Sequence, residues 1–324
     1  MEGLGRHRIW VYSELLGRRV RTSERVMCSK FRLFSIRLLL LPACFLMVCS
    51  LPVALRAEDR LPFFAFCVDT HDAKKRTLQE QAELLKELGY DGVGHLWLDK
   101  VPERIKTLDA AGLKLFQIYI RVNIAPGAKQ PYDLRLKEVL PLLKGRDTML
   151  AVLMSGGRPS DNAGDPRAVE LLREIADIAQ PCGVRLALYP HARDWLERVE
   201  DAIRVVKKVD RPNVGVMFNL CHWLAVDDEK NMKPLLQAAR PYLFAVSING
   251  ADHAADIQAK KGKMIYPLDQ GAFGIFLFLK TLRELGYKGP IGLQCYGIPG
   301  DARDHLARSI AAWRKLNERL SERE

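Results

Sequence analysis

Beyond residue 60 the chain alternates between short apolar blocks and longer amphipathic stretches, with a repeat of about 25–40 residues. The blocks are FFAFCV (63–68), GVGHLWL (92–98), LKLFQIYI (113–120), MLAVLM (149–154), VRLALY (184–189), VGVMFN (214–219), LFAVSI (243–248) and IGLQCY (291–296). They are too short for helices and are apolar without a period of two. That pattern predicts strands covered on both faces, as in a parallel sheet. The stretches between them carry a helical period. In LQEQAELLKELGY (78–90), Leu78, Ala82, Leu85 and Leu88 share a face and Gly89 stops the helix. TLRELGYKG (281–289) ends the same way, and REIADIAQPCG (173–183) and RVEDAIRVVKKVDRPN (198–213) end at Gly or Pro-Asn. Eight strand–helix units predict a single (β/α)8 TIM barrel over residues 58–324. An open doubly wound sheet is the rival, but no GxGxxG follows the first strand.

Charge changes the picture only at the N-terminus. The chain's net charge is +11. Residues 1–57 hold ten Lys/Arg and three Asp/Glu, and the remaining residues come to only +4. A body with interspersed signs is not a phosphate-binding face, so no nucleic-acid partner is expected. Lys30, Arg32 and Arg37 precede an apolar run from Leu38 to Leu55, and Ala57 stands before Glu58. A basic region, an apolar region and a small residue predict a signal peptide, with translation starting at Met27 and export to the periplasm or beyond. A retained membrane anchor is the alternative, since the run is at the lower limit for spanning. The four cysteines beyond residue 58, Cys67, Cys182, Cys221 and Cys295, show no CxxC spacing. They read as small buried residues.

In a (β/α)8 barrel chemistry gathers at the C-terminal strand ends. Those ends carry Asp69 and His71; His95 and Trp97; Tyr119, Arg121 and Asn123; Tyr189 and His191; Asn219 and His222; Ser247, Asn249, Asp252 and His253; Gln294 and Tyr296. Five of the six histidines beyond residue 58 lie there, and His305 is the exception. Any one of them could be a hydrogen-bonded rim residue. His191, His222 and Gln294 are singled out because separate strands deliver them to one mouth. Arg121 is a surface charge or the partner of a carboxylate, phosphate or developing oxyanion.

VRLALYPH, VGVMFNLCHW, FAVSINGAD and IGLQCYG, with PLDQGAFGIFLFLKTLRELGY, resemble the xylose-isomerase-like TIM barrels of sugar isomerases, epimerases and endonuclease-IV-like proteins, and in particular secreted sugar phosphate isomerase/epimerase paralogues. The resemblance covers residues 60–317. It implies a divalent metal held by Glu, Asp, His and Glu on strands five to eight. Those positions are Tyr189, Asn219, Ser247 and Gln294 here. None keeps the implied ligand. Neutral amides and hydroxyls do not offset the dehydration of a dication, so no tightly bound metal or other cofactor is expected. Weak binding through the amide carbonyls of Asn219 and Gln294 stays open. His191 and His222 match histidines that accompany the family's ligands.

The expected partner is a small carbohydrate, and the expected chemistry is proton transfer next to a carbonyl. Tyr189, His191 and His222 are the candidate catalytic residues, the phenol acting as a donor or, with a depressed pKa, as a base. Asn219, Gln294, Asn249, Arg121, His95 and Tyr296 are candidate substrate contacts. A carbohydrate-binding protein without catalysis fits the same residues. A DNA-repair nuclease does not, because it needs a metal cluster and a basic face.

Overall fold

The structure is a computed structural model, and it describes residues 60–322. The expected leader lies outside the described residues. Eight parallel strands close into a barrel in chain order: β1 Phe63–Phe66, β2 Gly92–Leu96, β3 Lys114–Asn123, β4 Met149–Ser155, β5 Arg185–Leu188, β6 Val214–Asn219, β7 Leu243–Ile248 and β8 Ile291–Gln294. The helices are α1 Leu78–Leu88, α2 Val101–Ala111, α3 Leu136–Val139, α4 Asp165–Ala179, α5 Val199–Val209, α6 Leu220–Val226, α7 Met232–Ala239, α8 Ala254–Gln258, α9 Ile275–Glu284 and α10 Ala302–Ser321. This is the expected (β/α)8 architecture. β1 pairs with β8 through four residues, and that ladder closes the ring.

Local chemistry sets the boundaries. Thr77 and Glu80 cap α1 reciprocally, and Gly89 at φ 86° ends it in the left-handed region that glycine adopts without strain. Each strand buries two faces. Residues pointing outward, such as Phe63, Ile118, Leu186 and Val216, pack beneath the helices in one large core. Residues pointing inward fill the barrel axis. Phe64 stacks on Phe116 at 4.8 Å, Phe66 on Tyr119 at 5.1 Å, and Tyr119 meets Tyr189 edge-on at 5.5 Å. The interior is therefore a packed aromatic plug, and a ligand has room only above it. Among the described residues no helix is long and apolar enough to cross a membrane.

At the N-terminal end of the barrel a cavity of ≈ 470 Å³ is lined by Lys114, Phe116, Asp147, Arg185, Phe244 and Tyr287, among others. It lies at the opposite end from every strand-end residue named above.

Candidate functional site

The floor of the C-terminal mouth is a hydrogen-bonded set of neutral side chains. Ser247 Oγ donates to Asn219 Oδ1 at 2.7 Å. Gln294 Nε2 donates to the Tyr189 hydroxyl at 3.3 Å, and the backbone N–H of Tyr296 donates to Gln294 Oε1 at 3.0 Å. All four floor residues are buried. These are the four positions at which the resemblance implies metal ligands. Alternation along β5 to β8 delivers them to the axis together. The set does not fit a divalent ion. It offers no carboxylate and no imidazole, and Asn219 Oδ1 is already an acceptor within the protein. Among the described residues no group of three His, Cys, Asp or Glu is placed to hold a metal.

Two imidazoles stand on this floor. His222 sits in the first turn of α6, directly after β6, and is only 9% exposed. His191 follows β5 across Pro190 and is partly buried. Their ring centroids are 3.9 Å apart, and Tyr189 lies 5.9 Å from His222. His191 Nδ1 is 3.1 Å from the carbonyl of Ala192. A carbonyl only accepts, so Nδ1 carries the proton and Nε2 keeps its lone pair. His222 Nδ1 and Asn219 Nδ2 are both buried without a hydrogen-bond partner among the described residues. Two unmatched polar atoms in one mouth are costly unless a ligand or water completes them.

Burial sets the protonation. It pushes His222 well below the usual imidazole range, helped by neighbouring His191. It pushes His191 down too, against the opposing pull of Asp194. Both rings are neutral at pH 7. Burial pushes the Tyr189 phenol well up. That shift runs against the depressed-pKa role expected for Tyr189 as a base, because burial disfavours the phenolate. The donor role remains. The thiols of Cys67 and Cys295 are raised by burial, and that of Cys221 is pushed up to about 12. No reactive thiolate is available among them.

The rim holds charge. Arg121 Nη1 pairs with Asp194 at 2.8 Å, and its guanidinium lies 6.0 Å from the Trp97 ring. Asp194 in turn lies 3.7 Å from His191 Nδ1. Arg121 thus reaches the mouth as expected, but as half of an ion pair. Asp194 was missed by sequence reasoning. It is in a loop, and only its spacing of three residues from His191 hinted at contact. Tyr296 is 54% exposed and meets His71 edge-on at 5.0 Å, so it stands on the rim.

Two expected contacts spend polar atoms away from the mouth. Asn249 donates to the carbonyls of Gly250 and Met264, which ties down the loop after β7. His95 points away from the axis. Its neighbour Gly94 faces inward, where an added Cβ would meet Phe66 Cβ at 2.8 Å, so alternation turns His95 toward α2. There it contacts Arg104 and the carbonyl of Asp99. His95 is therefore turned out of the mouth, while Asn249 spends its Nδ2 on the loop and keeps a buried Oδ1 without a partner among the described residues.

Residues 82–316 match the model of the xylose isomerase-like TIM barrel family. The chain is 25% identical over 236 residues to the inosose isomerase of Bacillus velezensis, covering 68% of this chain and 83% of that one. It is 26% identical over 261 residues to the 3-dehydroshikimate dehydratase of Pseudomonas aeruginosa, covering 74% of this chain but 39% of that one. Among solved structures, a D-psicose 3-epimerase from Clostridium cellulolyticum H10 is similar in fold, with a TM-score of 0.61 at 17% identity over 80% of this chain and 99% of that one. The zinc-bound IOLI protein aligns with a TM-score of 0.62 at 18% identity over 81% and 99%. The family match covers most of the chain, and the chain belongs to the xylose isomerase-like TIM barrel family.

Proposed function

We propose that this member of the xylose isomerase-like TIM barrel family binds a small polyhydroxylated carbonyl compound in the mouth and moves a proton on the carbon next to its carbonyl. That step is common to isomerisation, epimerisation and β-elimination. The observation that carries the reading is the neutral His191–His222 pair at 3.9 Å, standing beside the unpartnered Nδ2 of Asn219. A neutral imidazole accepts a proton directly. His191 offers its Nε2 lone pair, and Asp194 stabilises the imidazolium that results. The C–H electron pair becomes a C=C bond as the carbonyl π pair moves onto its oxygen, which gives an enediolate where the carbon bears a hydroxyl. Asn219 Nδ2, which lies near the Tyr189 hydroxyl but makes no full hydrogen bond among the described residues, can donate to that oxygen. His222 hydrogen-bonds the ligand from the buried side and confines the transferred proton to the pair. Relatives described as inosose isomerase, 3-dehydroshikimate dehydratase and sugar 3-epimerases support this class of reaction.

The Tyr189, Asn219, Ser247 and Gln294 floor supports a second reading, sugar binding without turnover, because it recognises hydroxyls and supplies no strong acid or base. Proton exchange into D2O over a panel of ketoses and keto-inositols separates the two. Exchange at the carbon next to the carbonyl supports catalysis, and saturable binding without exchange supports the second reading.

Two further parts of the proposal follow from the sequence. The protein works without a tightly held divalent metal, supported by the donor chemistry of the floor. Near-stoichiometric Zn or Mn surviving dialysis would overturn this. The mature chain is exported and begins near Glu58, supported by the basic and apolar pattern ahead of it. Mass spectrometry of protein from its native host tests this, and a cytoplasmic form retaining Met27 contradicts it.

A further inference from the structure

Three costs fall on one turn. Trp97, directly after β2, holds φ at 65°, a left-handed conformation that is strained for a bulky side chain. Its indole is 41% exposed, so it repays little of that strain by burial. Lys100, three residues on, is also left-handed at φ 56°. Behind the turn lies Arg104, only 2% exposed, whose side-chain partners are the neutral His95 and Gln81. Burial lowers its pKa to about 10, and its Nη1 has no partner among the described residues.

The hydrogen bonds show what this arrangement does. Arg104 Nη2 donates to Gln81 Oε1 at 2.6 Å, which fixes the guanidinium against α1. Arg104 Nε donates to His95 Nδ1 at 3.3 Å. Arginine can only donate, so the His95 proton is on Nε2. Nε2 then donates to the carbonyl of Asp99 at 2.7 Å. The chain from helix to imidazole to backbone closes the turn from residue 95 to residue 99 around Trp97. On its other side the Trp97 backbone N–H donates to the carbonyl of Tyr119, and the ring stands 6.0 Å from Arg121. Arg121 leads through Asp194 to His191.

We infer that Trp97 is a wall of the ligand site, offering its ring to the apolar face of a sugar-like ring in the mouth, and that Arg104 and His95 are positioning residues that hold it there. A turn with only a structural task would be met by glycine at position 97, without strain and without an exposed indole. The inference rests on the proposed function for the identity of the ligand, but not for the clamp.

The test uses the full chain. Subtracting the emission of Trp97→Phe isolates the Trp97 fluorescence, and acrylamide quenching reports its shielding. Arg104→Met removes the donor to His95 while filling similar volume. It is expected to raise the quenching constant of Trp97 at least twofold, and Arg104→Gln, which can still donate, to restore part of the shielding. D-fructose and 2-keto-myo-inositol, the probes, are expected to protect Trp97 from acrylamide. Trp97→Gly is expected to raise the KM, or the dissociation constant where only binding is seen, about tenfold with little change in kcat and no fall in Tm. Unchanged quenching in a folded Arg104→Met protein overturns the clamp, whether or not any compound is turned over. An unchanged KM or dissociation constant in Trp97→Gly overturns the wall. If His191→Ala abolishes turnover while Trp97→Gly leaves KM unaltered, the proposed reaction stands and this inference falls. If neither probe binds or protects Trp97, the wall falls along with the ligand class, and the quenching arm still decides the clamp.

Discussion

His222 and His95 both come from strand ends, both are buried, and both are pushed below the usual imidazole range by that burial. They differ in partners. His95 has both nitrogens engaged, one by Arg104 and one by the carbonyl of Asp99. His222 has a buried Nδ1 with no partner among the described residues and lies against a second imidazole. Burial and a lowered pKa are therefore poor guides to function taken alone. Unspent hydrogen-bonding capacity facing an open mouth separates the two regions, and that is visible only when the partners of each nitrogen are traced.

Substituting the two histidines is the most direct way to break the comparison. His191→Ala, which removes the proposed base, is expected to lower turnover by about 10²–10⁴-fold with Tm nearly unchanged, and His222→Ala, which removes a hydrogen bond to the ligand, to lower it by a smaller factor. Steady-state kinetics and a thermal melt on the same sample check both, and a His222→Ala variant with wild-type turnover would make His222 as structural as His95. A third buried histidine, His305 on α10, provides a control outside both regions. Its pKa falls to about 4 through burial. The unfolded chain binds this proton near pH 6.5, so stability is complete above that value and is lost as pH falls toward 4. The loss is about 3 kcal/mol for this group. Urea melts across that range should show it, and His305→Gln should flatten the curve. His191, His222 and His95 shift in the same direction and add to the acid sensitivity.

His95→Ala should give the reverse signature of His222→Ala. It leaves Arg104 Nε unpaired in a buried site, at a cost of about 2 kcal/mol in stability. Turnover at saturating substrate should survive. Asp194→Asn sharpens the mouth side. It removes the charge that stabilises a His191 imidazolium, and kcat should fall about tenfold, or ~1.4 kcal/mol, with the fold intact.

Most of the architecture was legible because two-sided burial leaves an unbroken apolar run. β6 and β7 occupy the runs 214–219 and 243–248 to the residue. β3 runs on to Asn123, past the apolar run, because Arg121 and Asn123 keep the ladder with β4 while presenting polar groups to the mouth. β5 and β8 stop short, at Leu188 and Gln294, where the chain turns to aim Tyr189 and Tyr296. Side-chain direction was the harder part. GVGHLWL has no polar alternation to show which residues face the axis, and the pairing of β2 with β3 shifts register between Val93 and Gly94. His95 was assigned to the mouth for that reason. Asn249 shows a different difficulty, since its Nδ2 is spent on loop carbonyls that no spacing announces while its Oδ1 stays without a partner among the described residues.

The floor of amides and hydroxyls has a consequence for kinetics. Where a carboxylate cluster would project a field into solvent, Tyr189, Asn219, Ser247 and Gln294 carry no net charge, and the Arg121–Asp194 pair at the rim cancels its own. A neutral ligand approaching this mouth feels no long-range pull, and added salt has nothing to screen. Its association rate constant should be the same in dilute buffer and at high ionic strength, and the capture rate is then set by the geometry of the opening alone.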